Sequence, residues 1–394
     1  MRVLLNGVNV LSAGARGVVS NMVTYIAKAG RDIHFDLVLP EGHGYDHIHS
    51  EENLTVHYMN CSGSRTLRRF MDIYFNIAKW CRQFQSDICF TLGDIGPVRL
   101  PVPHVVLLQQ AMIVYRDTTF ERLWEKSERW KLHYTRWHFG KMAARCSAIT
   151  VQSPVMAKQL HDRYDFPLEK IWMIPSALPL HLSVRKDLVQ PSTQMMEVDK
   201  PHRLLFLAAG YEHKNHLILP RLAKELRRRG LTDVVQIFVT LDSGKNKYER
   251  NIIKQLDSCK DCITNLNRLE PYQVSKCYAA ASALFLPTMV ESFGLVYLEA
   301  MSYGCSILTS DRDFARWMCG DLAIYFNPTD PISIADAVEH FVENGIEEDY
   351  TKRSARRLSD FPSSWELVAS QYVDLLVHVL KGNQNGLSSQ NGIL

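Results

Sequence analysis

The sequence predicts an α/β protein of two domains, each a parallel sheet wrapped by helices. Three observations carry that expectation. The chain has 394 residues, enough for two separate cores. A strand, loop, helix and strand follow one another within residues 284–310, the order of a βαβ unit. The run of apolar strand, glycine-bearing turn and helix also occurs twice, once from Arg2 and again from Arg203. Ligands of such doubly wound sheets sit beyond the carboxyl ends of the strands. Two Rossmann-like domains facing an inter-domain cleft are therefore expected.

In chain order, residues 1–180 form the first domain. Arg2–Val10 is a buried strand, Leu11–Gly17 a glycine-bearing loop, and Val18–Ala29 a helix stopped by Gly30. Strands are expected at 33–39, 54–59, 88–92, 105–108, 148–151 and 171–174. Ser64 caps a helix to about Gln85 whose apolar stripe (Leu67, Phe70, Met71, Tyr74, Ile77, Phe84) faces the core. Arg65, Arg68, Arg69 and Lys79 lie on its solvated side. Residues 120–146 form a long helix in which Trp124, Trp130, Tyr134 and Trp137 alternate with cations, the pattern of an interfacial helix. Ser153 and Pro154 cap and open another helix. Residues 181–201, polar and holding Pro191 and Pro201, read as a linker. Residues 202–362 form the second domain, with strands at 203–209, 235–241, 263–266, 283–286, 305–309 and 323–326. Helices are expected at 246–258, 271–282 and 332–344. An amphipathic helix over 363–381 returns to the first domain, and residues 382–394 read as a disordered tail.

The stretch 284–310 holds the chemistry. Pro287 closes its first strand, residues 288–293 are loop, and Gly294–Tyr303 is a helix ended by Gly304. Glu291 lies at the helix start and Glu299 eight positions on, about 12 Å along a helix at 1.5 Å per residue. That separation suits the two ends of one extended ligand. The unpaired N–H groups between the two carboxylates favour an anion. Hydroxyl-binding carboxylates flanking an anion site describe a nucleotide-diphosphate sugar.

Glu291-Ser-Phe-Gly-Leu-Val-Tyr-Leu-Glu299 resembles the E-x7-E element of retaining glycosyltransferases of family 4, whose fold is GT-B. The resemblance implies that Glu291 meets donor-sugar hydroxyls and that Phe293, Gly294 and Leu295 offer backbone N–H groups to sugar and phosphate. It implies that Glu299 holds the ribose. Lys214, between strand and helix, matches the family's diphosphate-binding lysine. Tyr211 and His213 stand where an arginine is common, and Ser292 and Val296 where Gly and Pro are usual. By the same resemblance Gly14 and Gly17 lie in a turn that approaches donor phosphate and acceptor, with Arg16 as an added cation there. Arg268 lies near the nucleobase. Gln109 stands at the end of a strand where relatives often carry a histidine. The implied chemistry is retention at the anomeric carbon without a required metal. The nucleotide-diphosphate sugar is a co-substrate and no further cofactor is expected. The acceptor is a glycan or a lipid-linked molecule, in cell-surface polysaccharide synthesis.

Composition excludes several classes. Hydrophobic content of 46% and charged content of 22% are those of an ordinary globular protein, and a net charge of +3 is too small to argue for nucleic acid. No apolar run approaches the ~18 residues of a bilayer span, and the apolar start is too short for a signal peptide. Nine scattered cysteines point to reduced thiols in the cytoplasm. The aromatic and basic helix at 120–146 adds the expectation of a peripheral contact at the inner face of the membrane. Neither the lone Cys259-x-x-Cys262 nor His43, His47 and His49 has the partners a metal site needs. The alternatives are a GT-B nucleotide-sugar epimerase and a catalytically silent donor-binding subunit. A nicotinamide enzyme is disfavoured because no G-x-G-x-x-G follows either first strand.

Overall fold

The computed structural model describes residues 1–60, 71–116, 119, 121, 124–182, 189–242, 244 and 247–385. Two compact units form: Met1–Asp117 with Glu125–Ala177 and Pro362–Leu394, and Thr118–Trp124 with Leu178–Phe361.

The first unit is a seven-stranded, wholly parallel sheet. Its strands are β1 (Arg2–Asn6), β2 (His34–Pro40), β3 (Leu54–Met59), β4 (Ile88–Thr91), β5 (His104–Leu107), β6 (Ala148–Val151) and β7 (Ile171–Met173). Their spatial order is β3-β2-β1-β4-β5-β6-β7. β1 pairs with β2 from Arg2↔His34 to Asn6↔Val38 and with β4 from Val3↔Ile88 to Asn6↔Thr91. Val3, Leu4 and Leu5 are fully buried, as a central parallel strand covered on both faces requires. The helix Trp365–Asn385 packs here along the helix Ala13–Ala29. It buries Trp365, Leu375 and Leu376, and sets Tyr372 with its ring 5.4 Å from that of Phe90.

The second unit holds six parallel strands, β8 (His202–Phe206), β9 (Val235–Val239), β10 (Ile263–Asn265), β11 (Ala283–Leu286), β12 (Ser306–Ser310) and β13 (Ala323–Phe326). Their order is β10-β9-β8-β11-β12-β13. Sequence neighbours run one way from β8 and the other way from β11, so the loops after these two adjacent strands flank the reversal where doubly wound folds bind ligands.

Several expectations change. Leu11–Gly17 is not a loop throughout: the first helix begins at Ala13 behind Ser12, and Gly14 and Gly17 lie within it. Burial of Val18, Val19, Met22 and Ile26 along that helix outweighs the weak propensity of two glycines. The 64–85 helix contains a π-helical turn, Asp72–Asn76, before Ile77–Gln83; Ser64, Arg65, Leu67, Arg68, Arg69 and Phe70 lie outside the described residues. The aromatic helix spans Lys126–Ala143 and leaves out Trp124. The stretch expected as a linker carries a turn at Leu180–Leu182 and a helix at Thr193–Met196. Met195 is fully buried and Ser192 N–H donates to Lys276 O (2.9 Å), so these residues belong to the second unit. The last helix continues to Asn385, so residues 382–385 are helical. Helices Asp313–Cys319 and Tyr350–Leu358 were not foreseen; the second is so rich in Arg and Lys that only Tyr350 and Ser354 are buried. The eight described cysteines are all buried and unpaired as disulfides, and no metal-sized group of His, Cys, Asp or Glu occurs among the described residues.

A Cβ built on Gly17 meets nothing within 4 Å. Gly17→Ala should therefore stabilise the fold by about 0.5–1 kcal/mol through helix propensity alone, read from urea denaturation midpoints. A loss of stability would show that the position needs glycine for another reason.

Candidate active site

The loop after β8 opens with Gly210, whose N–H donates to Glu249 Oε1 (2.7 Å). A Cβ at Gly210 would collide with that glutamate, so the buried carboxylate and the glycine require each other. Tyr211 and His213 follow with stacked rings, 5.7 Å apart and 12° from parallel. Burial beside Lys214 holds the His213 imidazole well below its ordinary pKa, so it is neutral at pH 7. It supplies no cation in place of the family arginine.

Asn215 turns the chain through the left-handed region, φ +65°, which asparagine tolerates better than most residues. Its side-chain amide, 5% exposed, donates to Pro287 O (3.1 Å) after β11 and to Pro328 O (2.7 Å) after β13. His213 O in turn accepts from Met289 N–H (2.7 Å) and Thr288 Oγ1 (3.2 Å). Three loops at the carboxyl end of the sheet are thus tied together. Within that tie Lys214 Nζ stands 2.5 Å from Glu291 Oε1, the two side chains 18% and 10% exposed.

The helix after Glu291 runs Leu295–Tyr303. Gly294 precedes it at φ +81°, and a Cβ there would lie 2.7 Å from the Tyr297 ring, so two constraints demand glycine. The Tyr297 hydroxyl is 2.8 Å from Thr309 Oγ1, which donates to Leu286 O (3.0 Å), fixing the helix to β11 and β12. Phe293 turns inward, 2% exposed, against Trp317 and Phe361, which leaves only its backbone for any ligand. The first bond of the helix is Tyr297 N–H to Gly294 O (3.0 Å); the amides ahead of it, Leu295 included, have no intrahelical acceptor.

Glu299 lies deeper, 7% exposed, with Oε2 accepting from the Tyr278 hydroxyl (2.9 Å). Burial raises its pKa to about 7, and the Tyr278 hydrogen bond only partly offsets that. Arg268 follows β10 and is exposed. In the first unit, Gly14 and Gly17 occupy the first turns of the Ala13–Ala29 helix, and Arg16 Nη1 donates to His43 O (2.8 Å), so its guanidinium is directed at the β2–β3 loop. Gln109, just past β5, donates from Nε2 to Leu92 O (3.2 Å) and from N–H to Asp94 Oδ1 (2.6 Å). The structure therefore joins Lys214 to Glu291 directly, and Phe293, Gly294 and Leu295 follow Glu291 at the helix start. Asn215, Tyr278 and Thr288 were missed by sequence reasoning; only the Asn after Lys214, a residue type suited to a left-handed turn, gave a local signal.

Two parallel-sheet Rossmann-like units are the GT-B architecture; in this chain the second unit carries a lysine–glutamate pair at a helix start. Residues 194–358 match the family described as glycosyl transferases group 1, and residues 13–181 match glycosyltransferase family 4. The two matches span most of the chain and place it among the glycosyltransferases of GT-B fold. It is 22% identical over 210 residues to the O-antigen chain mannosyltransferase RfbU of Salmonella typhimurium strain LT2, over 52% of this chain and 54% of that one. The match thus spans about half of the relative. Its fold resembles sucrose-phosphate synthase from Thermosynechococcus elongatus (TM-score 0.71, 15% identity, 97% of this chain and 100% of that one). It also resembles Anabaena HepE in complex with UDP and glucose (TM-score 0.62, 15% identity, 99% and 100%).

Two measurements check the site. Lys214→Met and Glu291→Gln should each destabilise the protein by about 1–3 kcal/mol, because each strands a largely buried charge, and the double variant should lose little more than either. Additive losses in urea melts would show that the pair is not coupled. For Glu299 the folded pKa of about 7 lies above the ordinary 4.5. Its stability contribution is whole below pH 4.5 and lost as pH rises through 7. Glu299→Gln should therefore melt higher than the parent at pH 8 and show little gain at pH 4.5.

Proposed function

We propose that the chain transfers a sugar from a nucleotide-diphosphate donor to a glycan or lipid-linked acceptor in cell-surface polysaccharide synthesis, with retention at the anomeric carbon and no required metal. The observation that carries this reading is the Lys214–Glu291 pair held at the start of the Leu295–Tyr303 helix. The relative's name as an O-antigen mannosyltransferase supports a polysaccharide role, and the HepE complex supports a UDP-sugar class of donor.

In this reading the diphosphate lies against the free amides of the helix start and draws the Lys214 ammonium from Glu291, which turns to a sugar hydroxyl. As the bond from the anomeric carbon to phosphate breaks, charge builds on the departing oxygen, where Lys214 and the helix terminus stabilise it. The acceptor oxygen bonds to the same face of the carbon, and its proton passes to the leaving phosphate. Gln109, an amide, has no part as a base. Glu299 takes the ribose hydroxyls through its anionic form, with Tyr278 orienting it. In the same reading Arg268, exposed beyond β10, serves the nucleobase, Gly14 and Gly17 serve the donor phosphate, and Arg16 serves the acceptor side.

A panel of UDP-, GDP-, ADP- and dTDP-sugars should reveal a donor by raised melting temperature, since a ligand of the native state stabilises it. With that donor, Lys214→Ala and Glu291→Ala should each cut turnover by about 10²-fold or more, and EDTA should leave it unchanged. Near-wild-type turnover in both variants refutes the site. Donor binding without turnover marks a silent subunit, and a changed sugar without transfer marks an epimerase.

A further inference from the structure

We infer that the first unit carries a composite aromatic face, built from the Asp72–Asn76 turn and the Lys126–Ala143 helix, that docks on the surface of an anionic lipid bilayer. Along the helix the residues Lys126, Trp130, Tyr134, Trp137 and Lys141 recur every three or four positions and are all exposed, so they form one stripe. Trp130 is 76% exposed, Trp137 58% and Tyr134 55%, values unusual for side chains of this size. The opposite side of the helix holds it to the core: Leu132, Phe139 and Met142 are buried, and Arg136 donates to Met112 O (2.7 and 3.0 Å). Among the described residues the stripe is therefore apolar surface left largely outside the core.

The neighbouring turn widens the stripe into a face. Phe75 is 56% exposed beside Tyr74, whose hydroxyl lies 3.3 Å from that of Tyr134. The Tyr134 and Trp137 rings are 5.9 Å apart. Tryptophan and tyrosine, each apolar with one polar tip, are the side chains that rest at the headgroup level of a bilayer.

Charge decides which occupant fits. Lysines close both ends of the stripe, about 22 Å apart for fifteen helical positions. A second copy packed on this face about a two-fold axis would bring lysine against lysine in either helix direction, a repulsive arrangement. A plane of anionic headgroups instead meets both lysines at once while the rings enter between them. A nucleic acid fits less well: Lys131 is paired with Glu128 (2.6 Å) and Glu125 adjoins the helix, so the face offers few free cations for a phosphate backbone. No described helix is long and apolar enough to cross a membrane, so the contact is with the surface. The inference rests on the first unit alone and stands apart from the donor site of the second.

The test is sedimentation of the full chain with phosphatidylcholine vesicles, with and without phosphatidylglycerol. The chain should pellet with the anionic vesicles at low salt and be released by high salt. Trp130→Ser/Trp137→Ser should weaken binding by about tenfold or more, and Lys126→Gln/Lys141→Gln should remove the preference for phosphatidylglycerol. Both pairs are exposed, and circular dichroism should show unchanged folding. Absence of pelleting at low salt, pelleting that neither double variant alters, or release from anionic vesicles by a single-stranded oligonucleotide would overturn the proposal. So would light scattering that shows a dimer which the tryptophan variant dissolves.

Discussion

The side-chain amide of Asn215 is the constraint on which the second unit's site depends. It lies buried in a left-handed turn and spends its two protons on carbonyls from two other loops, those of Pro287 and Pro328. A buried amide that lost either acceptor would carry an unmet donor, at a cost of about 1–3 kcal/mol. The three loops therefore hold one arrangement, and Lys214, one residue before Asn215, is delivered to a fixed place. Its partner Glu291 is fixed from the other side, because Met289 and Thr288 hold to His213 O. Two long charged side chains in water would gain little from meeting. On braced loops and largely out of solvent they meet with little entropy left to lose.

The same economy governs the helix start. Gly294 is required by its backbone angle and by the Tyr297 ring, and Tyr297 is locked through Thr309 to β11. Amides aimed at a fixed point before a ligand arrives need no reorganisation when charge develops there, which is what makes such donors effective. The inward packing of Phe293 on Trp317 and Phe361 adds the third anchor. The glutamates differ in setting: Glu291 sits on a loop facing a cation, Glu299 within the helix against a phenol. One formula in the sequence, two carboxylates eight apart, covers two distinct environments.

Local features were legible in the sequence and distant ones were not. β6, β11 and β13 begin and end where the apolar runs do, since a run of four apolar residues bounded by proline or a polar residue is too short for a helix; β6 and β11 are buried throughout, whereas β13, at the sheet edge, is buried only at Phe326. The start of the first helix was misplaced because two glycines argue locally for a turn, whereas the burial of Val18, Met22 and Ile26 is settled by the sheet they pack on. Residues 189–201 look like a linker for the same reason: nothing nearby reveals that Ser192 is bonded to Lys276 or that Met195 is buried. The chemistry followed the same division. Lys214, Glu291 and Gly294 were singled out by residue type near strand ends and by the family resemblance, and the structure brings Lys214 and Glu291 into contact. Asn215 reaches Pro328 across 113 positions, and Tyr278 reaches Glu299 across 21, and no sequence period marks either pairing.

The buried setting of Glu299 has a calorimetric consequence. With its pKa raised to about 7 by burial, the carboxyl keeps its proton into the neutral range. A ligand whose hydroxyls favour the anion would expel that proton as it binds. The heat measured would then include the ionisation of whatever buffer takes the proton up. Titrations in phosphate and in Tris would disagree in enthalpy while agreeing in affinity, and the gap between them would count the protons released.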